Sequence, residues 1–89
     1  MLSVHRLIWD TWNVAHIARH DITSEEVEGV CHGKPVTSET RKGRIRVVGL
    51  TQSGRILTVI LASTQEEGVY YPITARPADR KERRNYHQV

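Results

Sequence analysis

The hydrophobic period of this chain switches at Gly33, and that switch restricts it to a mixed fold. Before it, Val14, Ile17 and Ala18 recur at i, i+3 and i+4, the single apolar stripe of a helix. Asp10 stands where a cap belongs, so a helix is expected over Thr11–His20 after a short extended start at "LIWD". A second helix carries fuller signals. Thr23 and Glu26 have the spacing of a capping box, and Ile22 and Val27 that of a hydrophobic staple. It should run to Cys31 or His32 and stop at Gly33.

Beyond Gly33 the pattern alternates. Pro35–Glu39 reads as a short strand, "RKG" (Arg41–Gly43) as a turn, and Arg44–Leu50 as a strand with one wet face. "TQSGR" turns the chain into Arg55–Ala62, which is apolar on both faces as a central strand is. After "QEEG", Val69–Arg76 forms the last strand. Pro72 cannot donate to a ladder, which points to a sheet edge. Asp79 then caps a final helix to about Tyr86. The expected class is α+β in one domain, 1–89: two N-terminal helices, a four-stranded antiparallel meander sheet and a C-terminal helix.

Composition limits how much such a fold can bury. With 89 residues, no Phe, two Trp and three Tyr, the core must be small and aliphatic. The charge is segregated. Residues 1–40 hold three basic side chains (Arg6, Arg19, Lys34) against six acidic ones, whereas residues 41–89 hold ten against four. Segregation of that kind makes a positive face able to steer phosphates. Cys31 is the single cysteine, so no internal disulfide can form. "MLSVHRLIWD" lacks the features of a signal peptide, and "ILTVILA" is too short to span a bilayer. The expectation is a cytoplasmic protein with no membrane attachment.

Several side chains could carry chemistry. Alternation pairs Thr74 with Arg76, and Arg44 with Arg46, on one side of their strands. If the two sides coincide, guanidinium groups line a sheet face, and their planar donor forks suit phosphate oxygens. The plainer reading of Arg44 and Arg46 is a wetted outer face. Arg76, stopped at once by Pro77 at a strand–helix junction, suits a fixed catalytic group. On the last helix Glu82 and Tyr86 share a face at i, i+4, where Glu82 could act as acid or base and Tyr86 could stack on a base or give a proton. The alternative is a solvated helix with Tyr86 packed on the sheet. His16 and His20, also i, i+4 and on the polar side of the first helix with Asn13, have zinc-compatible spacing, but "HIARH" lacks the protease glutamate and no clear third ligand follows. A histidine near arginines suits proton transfer better. There is no Gly-rich phosphate loop, no GxSxG and no paired-cysteine motif.

These residues bring a resemblance into view. Trp9-Asp10 opening the first helix, "ARH" (Ala18, Arg19, His20), the strand Gly54–Val59 and, above all, "TARPADRKERRNY" make nearly the whole chain similar to BrnT-type toxins with the RelE/ParE-like fold. Two positions differ: Trp9-Asp10 lies one residue closer to His20 than in the family pattern, and Asp21 stands for its common Gly. The resemblance implies a metal-independent endoribonuclease with no cofactor, the toxin of a type II toxin–antitoxin pair. It implies catalytic roles for Arg76, His20, Glu82 and Tyr86 and makes the basic helix, with Arg80 and Arg83, an RNA-facing wall, to which Arg44, Arg46 and Thr74, paired by alternation, would add RNA contacts. A base would take the ribose 2′-OH proton, the oxygen would attack the adjacent phosphorus, and an acid would protonate the leaving 5′ oxygen. The implied partner is a BrnA-type ribbon-helix-helix antitoxin, through which alone promoter DNA is reached. Two other classes stay open: a module that binds an antitoxin or RNA without cleavage, and a structural subunit that assembles through its sheet edge.

Overall fold

All three helices begin with the same local device. Asp10, Thr23 and Asp79 sit in extended conformation, and each side chain accepts from the backbone N–H three residues on. The side chain at that third position, Asn13, Glu26 or Glu82, returns to the cap's own N–H. Each box satisfies donors that a helix start would otherwise leave bare. In the computed structural model, which describes residues 2–88, the helices are α1 (Thr11–Ala18), α2 (Ser24–His32) and α3 (Arg80–His87). The staple residues Ile22 and Val27 are both buried, and α2 ends at Gly33.

The strands are β1 (Arg6–Leu7), β2 (Val36–Glu39), β3 (Ile45–Leu50), β4 (Ile56–Ser63) and β5 (Val69–Pro77), with a short 3₁₀ turn at Arg41–Gly43. They form one sheet in the order β1-β5-β4-β3-β2. The class is α+β, but the expected layout of a four-stranded antiparallel meander behind two N-terminal helices, the RelE/ParE-like arrangement, is corrected. A strand precedes α1 and pairs parallel with β5, so the sheet is five-stranded and mixed. The cause is Leu7, a buried side chain in a segment two residues long, whose neighbours Arg6 and Ile8 bond to the β5 end through Gly68 and Tyr70 carbonyls. Two residues show no period, so such a strand is silent to pattern reading.

β5 is also not a simple edge. Only Val69 and Tyr70 are covered by β1; from Pro72 onward its outer side has no strand partner. The Pro72 carbonyl is taken by Asn13 Nδ2 at 3.1 Å, which also donates to the Ile8 carbonyl at 2.9 Å. Asn13, placed by sequence on a polar side of α1 with His16 and His20, is therefore fully buried.

One face of the sheet carries the core. Val47, Leu57, Val59, Leu61 and Ala75 pack beneath Ile17, Ile22, Val27 and Val30 of the α1–α2 layer. The pairing of β4 with β5 slips by one residue between Ile60 and Leu61, so Thr74 opposes Ile60 while Pro72 opposes Leu61. Ile73 is the extra residue of this bulge. Without it, period-2 alternation from Pro72 would set Arg76 opposite Leu57, facing the core. With it, Ala75 joins the core opposite Val59, and Arg76 falls opposite Thr58 on the other face. The bulge decides which way the arginine points.

Candidate functional site

The second face of the sheet carries two cross-strand rows. Arg46 lies opposite Ile60, and Ile60 opposite Thr74; Val48 lies opposite Thr58, and Thr58 opposite Arg76. The sides of the arginine strands therefore coincide. Helix α3 covers only the Val48–Thr58–Arg76 end, where it meets β3, and leaves the rest open.

At the junction of α3 and the sheet sits Glu82, 8% exposed. Its Oε1 accepts from Arg76 Nη1 at 2.7 Å, Thr58 Oγ1 at 2.8 Å and the Asp79 N–H at 2.9 Å. Its Oε2 accepts from Arg76 Nη2 at 2.9 Å. A bidentate guanidinium–carboxylate pair is thus fused to a helix cap. The Arg76 hydrogen bonds are the main reason that the Glu82 carboxyl is lowered to about 2, against the opposing effect of burial and aided by Asp79 and Thr58. The same bonds raise Arg76 above its ordinary value. A carboxylate so held is ionised at neutral pH and a weak proton acceptor.

Arg46 approaches the pair from β3. Its Nε lies 3.9 Å from Glu82 Oε2, buried and with no hydrogen-bond partner, while its side chain is 43% exposed. Arg44, Arg41 and Lys42 continue a mostly positive lining, interrupted by Glu39 and with Ile60 as its apolar part, around a shallow concavity of about 760 Å³ at the β2–β3 turn. Thr74 is half-buried in the Arg46 row, and Arg80 and Arg83 are exposed on α3. Arg83 donates to the Ala78 carbonyl at 3.5 Å, next to the cap.

Two of the four proposed catalytic side chains, Arg76 and Glu82, are in direct contact. His20 is elsewhere. It is exposed in the turn after α1, in the layer that covers the core face, whereas Arg76 lies on the other side of the sheet. Its N–H bonds back to the Ile17 carbonyl at 3.0 Å. Tyr86, one turn beyond Glu82, lines a groove of about 820 Å³ with Leu2, Cys31, Pro35 and Val36, between the end of α2 and the β2 edge. His16 stacks on Trp12 with ring centroids 4.8 Å apart and planes 8° from parallel. No cluster of three or more His, Cys, Asp or Glu able to hold a metal occurs among the described residues.

Thr58 was not singled out by sequence reasoning. The available signal was one hydroxyl inside the apolar run "ILTVILA", a position fully buried in the fold. Cys31 is buried and pushed up to about 12, chiefly by burial and then by nearby Glu28. No helix among the described residues is long and apolar enough to cross a membrane. No protein-family model matches the chain, and no curated protein matches it either.

Proposed function

We propose that this chain is an RNA-directed toxin of the BrnT type, whose arginine face grips RNA phosphates and promotes metal-independent cleavage by 2′-OH attack. The observation that carries the reading is the convergence of Arg46 and Arg76, from different strands, on one open face beside a shared buried carboxylate. Fixed guanidinium groups beside a partly dry pocket stabilise charge that grows on a pentavalent phosphate without reorganising at that moment. The positive lining at the β2–β3 turn and on α3 would hold the flanking backbone. On this reading the chain works in the cytoplasm. It is neutralised there by a BrnA-type ribbon-helix-helix antitoxin, which also provides the contact with promoter DNA.

A second reading, binding of RNA without cleavage, is favoured by one specific arrangement. Glu82 is already committed to four hydrogen bonds and His20 lies across the sheet, so neither is poised as a general base. A cleavage assay on single-stranded RNA in EDTA separates the two. Toxin action yields 2′,3′-cyclic phosphate or 3′-phosphate ends, and Arg76→Ala lowers the rate about a hundred- to a thousand-fold, as for loss of one preorganised donor. RNA binding with no product supports the second reading. Absence of both binding and cleavage overturns the proposal.

A further inference from the structure

We propose that Thr58 is a positioning residue for Arg76, acting through Glu82 so that one edge of the guanidinium stays open for a phosphate. The inference rests on the reading of the arginine face as an RNA contact.

Thr58 lies in the middle of β4, directly opposite Arg76, and is fully buried. Its strand is otherwise apolar from Ile56 to Ala62, and valine would fill the same space with good strand propensity. The hydroxyl therefore answers to something other than the strand, and its bond goes to Glu82 Oε1. That oxygen is pinned from three directions, by Thr58, by the α3 cap and by Arg76. With Oε1 fixed, the carboxylate plane is fixed, and the bidentate pair fixes the plane of Arg76 in turn.

The way Arg76 is held matters for what it can still bind. Glu82 engages Nη1 and Nη2, the end of the guanidinium, and Nη1 also reaches the Pro77 carbonyl at 3.4 Å. Of the five N–H groups of an arginine, Nε–H and the second Nη2–H remain. Those two point the same way along the side of the plane, a second fork matched to two oxygens of a phosphodiester. The Arg76 side chain is 38% exposed, and its unpartnered Nε is not among the fully buried atoms, so that edge keeps contact with solvent. Arg46, which supplies no hydrogen bond to Glu82, carries the neighbouring positive charge. Thr58 thus never touches the RNA. It selects the fork that Glu82 occupies and the fork that it leaves.

Two measurements on Thr58→Val, Thr58→Ser, Arg76→Ala and the Thr58→Val/Arg76→Ala double variant test this. The first is affinity for a short fluorescent single-stranded RNA of mixed sequence. Thr58→Val should weaken binding about three- to tenfold, the scale of one hydrogen bond to a charged group felt indirectly. Thr58→Ser should restore it. In the Arg76→Ala background Thr58→Val should add nothing, because the two act as a unit. An equal further loss in that background, or unchanged binding in the single variant, overturns the inference while leaving the RNA reading intact. The second measurement is the Arg76 Nε–H signal by NMR, which needs no RNA. It should be sharp in the parent and in Thr58→Ser, and broadened or shifted in Thr58→Val. A signal identical in all three overturns the positioning role even if the parent binds no RNA, an outcome that would itself refute the functional reading. Should Thr58→Val not fold, Thr58→Ala removes the same hydroxyl and is read in the same way.

Discussion

Replacing Glu82 by glutamine should change how stability depends on pH more than any other single substitution on the second face. In the fold the carboxyl is lowered from 4.5 to about 2, and a lowered carboxyl stabilises wherever it is ionised in both states. Its contribution is therefore fully present above pH 4.5 and is lost as pH falls through about 2. The shift corresponds to about 3 kcal/mol at neutral pH, and water reaching the exposed side of Arg76 brings the expectation to about 2–3 kcal/mol. Glutamine keeps an acceptor for Thr58 or the Asp79 N–H but turns its amide against a guanidinium that has lost its counter-charge. Urea denaturation of both proteins, repeated in steps between pH 7 and pH 2, isolates the effect as a difference. Asp10 is also lowered, chiefly by the Asn13 backbone N–H, and its contribution cancels between the two proteins. Glu82→Gln should be less stable at pH 7 by that amount, and the gap should close as the parent is acidified. Parallel curves across the whole range would show that the Arg76–Glu82 pair carries no net stability, and the account of its geometry as a fixed mount for Arg76 would fall with it.

Two other perturbations test the remaining architecture. Asn13→Ala removes the donor to the Ile8 and Pro72 carbonyls and the return bond of the α1 capping box in a site with no solvent access. It should cost about 2–4 kcal/mol by urea denaturation, and a loss under about 1 kcal/mol would mean that water replaces the amide. Cys31, buried and raised to about 12, should react with a thiol reagent only on opening of the fold, so its labelling rate at neutral pH should rise with urea and track unfolding. Fast labelling in native buffer would contradict its burial on the inner side of α2.

Which parts were legible in the sequence follows from which forces are local. The α2 start was readable because Thr23, Glu26, Ile22 and Val27 declare it within six positions, and the structure fills every one of those roles. Strand positions after Gly33 were readable because the period is short, and no strand end moved by more than one residue. β1 was not readable, since its partner is distant and its length is below any period. Asn13 was misplaced because its surroundings are two carbonyls brought in by the sheet, one of them from β5. The face shared by Arg46 and Arg76 could be conjectured but not fixed, because it depends on a bulge at Ile73 that no residue type announces. Pro72 gave a partial hint: a proline marks broken pairing, and the break here is a slip of register beside it rather than a free edge throughout. Glu82 was noticed for its spacing to Tyr86, whereas its placement is governed by spacing to Asp79 and by Thr58 across the sheet.

The parallel seam between β1 and β5 has a consequence for biosynthesis. Arg6 and Leu7 are made long before Val69 and Tyr70, the residues they pair with. A growing chain therefore cannot close this seam until β5 has been made, and loop closure over that span is slow relative to local helix formation. Until then Leu7 and the strand-edge groups of the nascent N-terminal segment have no native shelter. Arg76 lies in β5 itself and α3 follows it, so the arginine face is completed in the same event that buries Leu7. The sheet and its charged face are completed together.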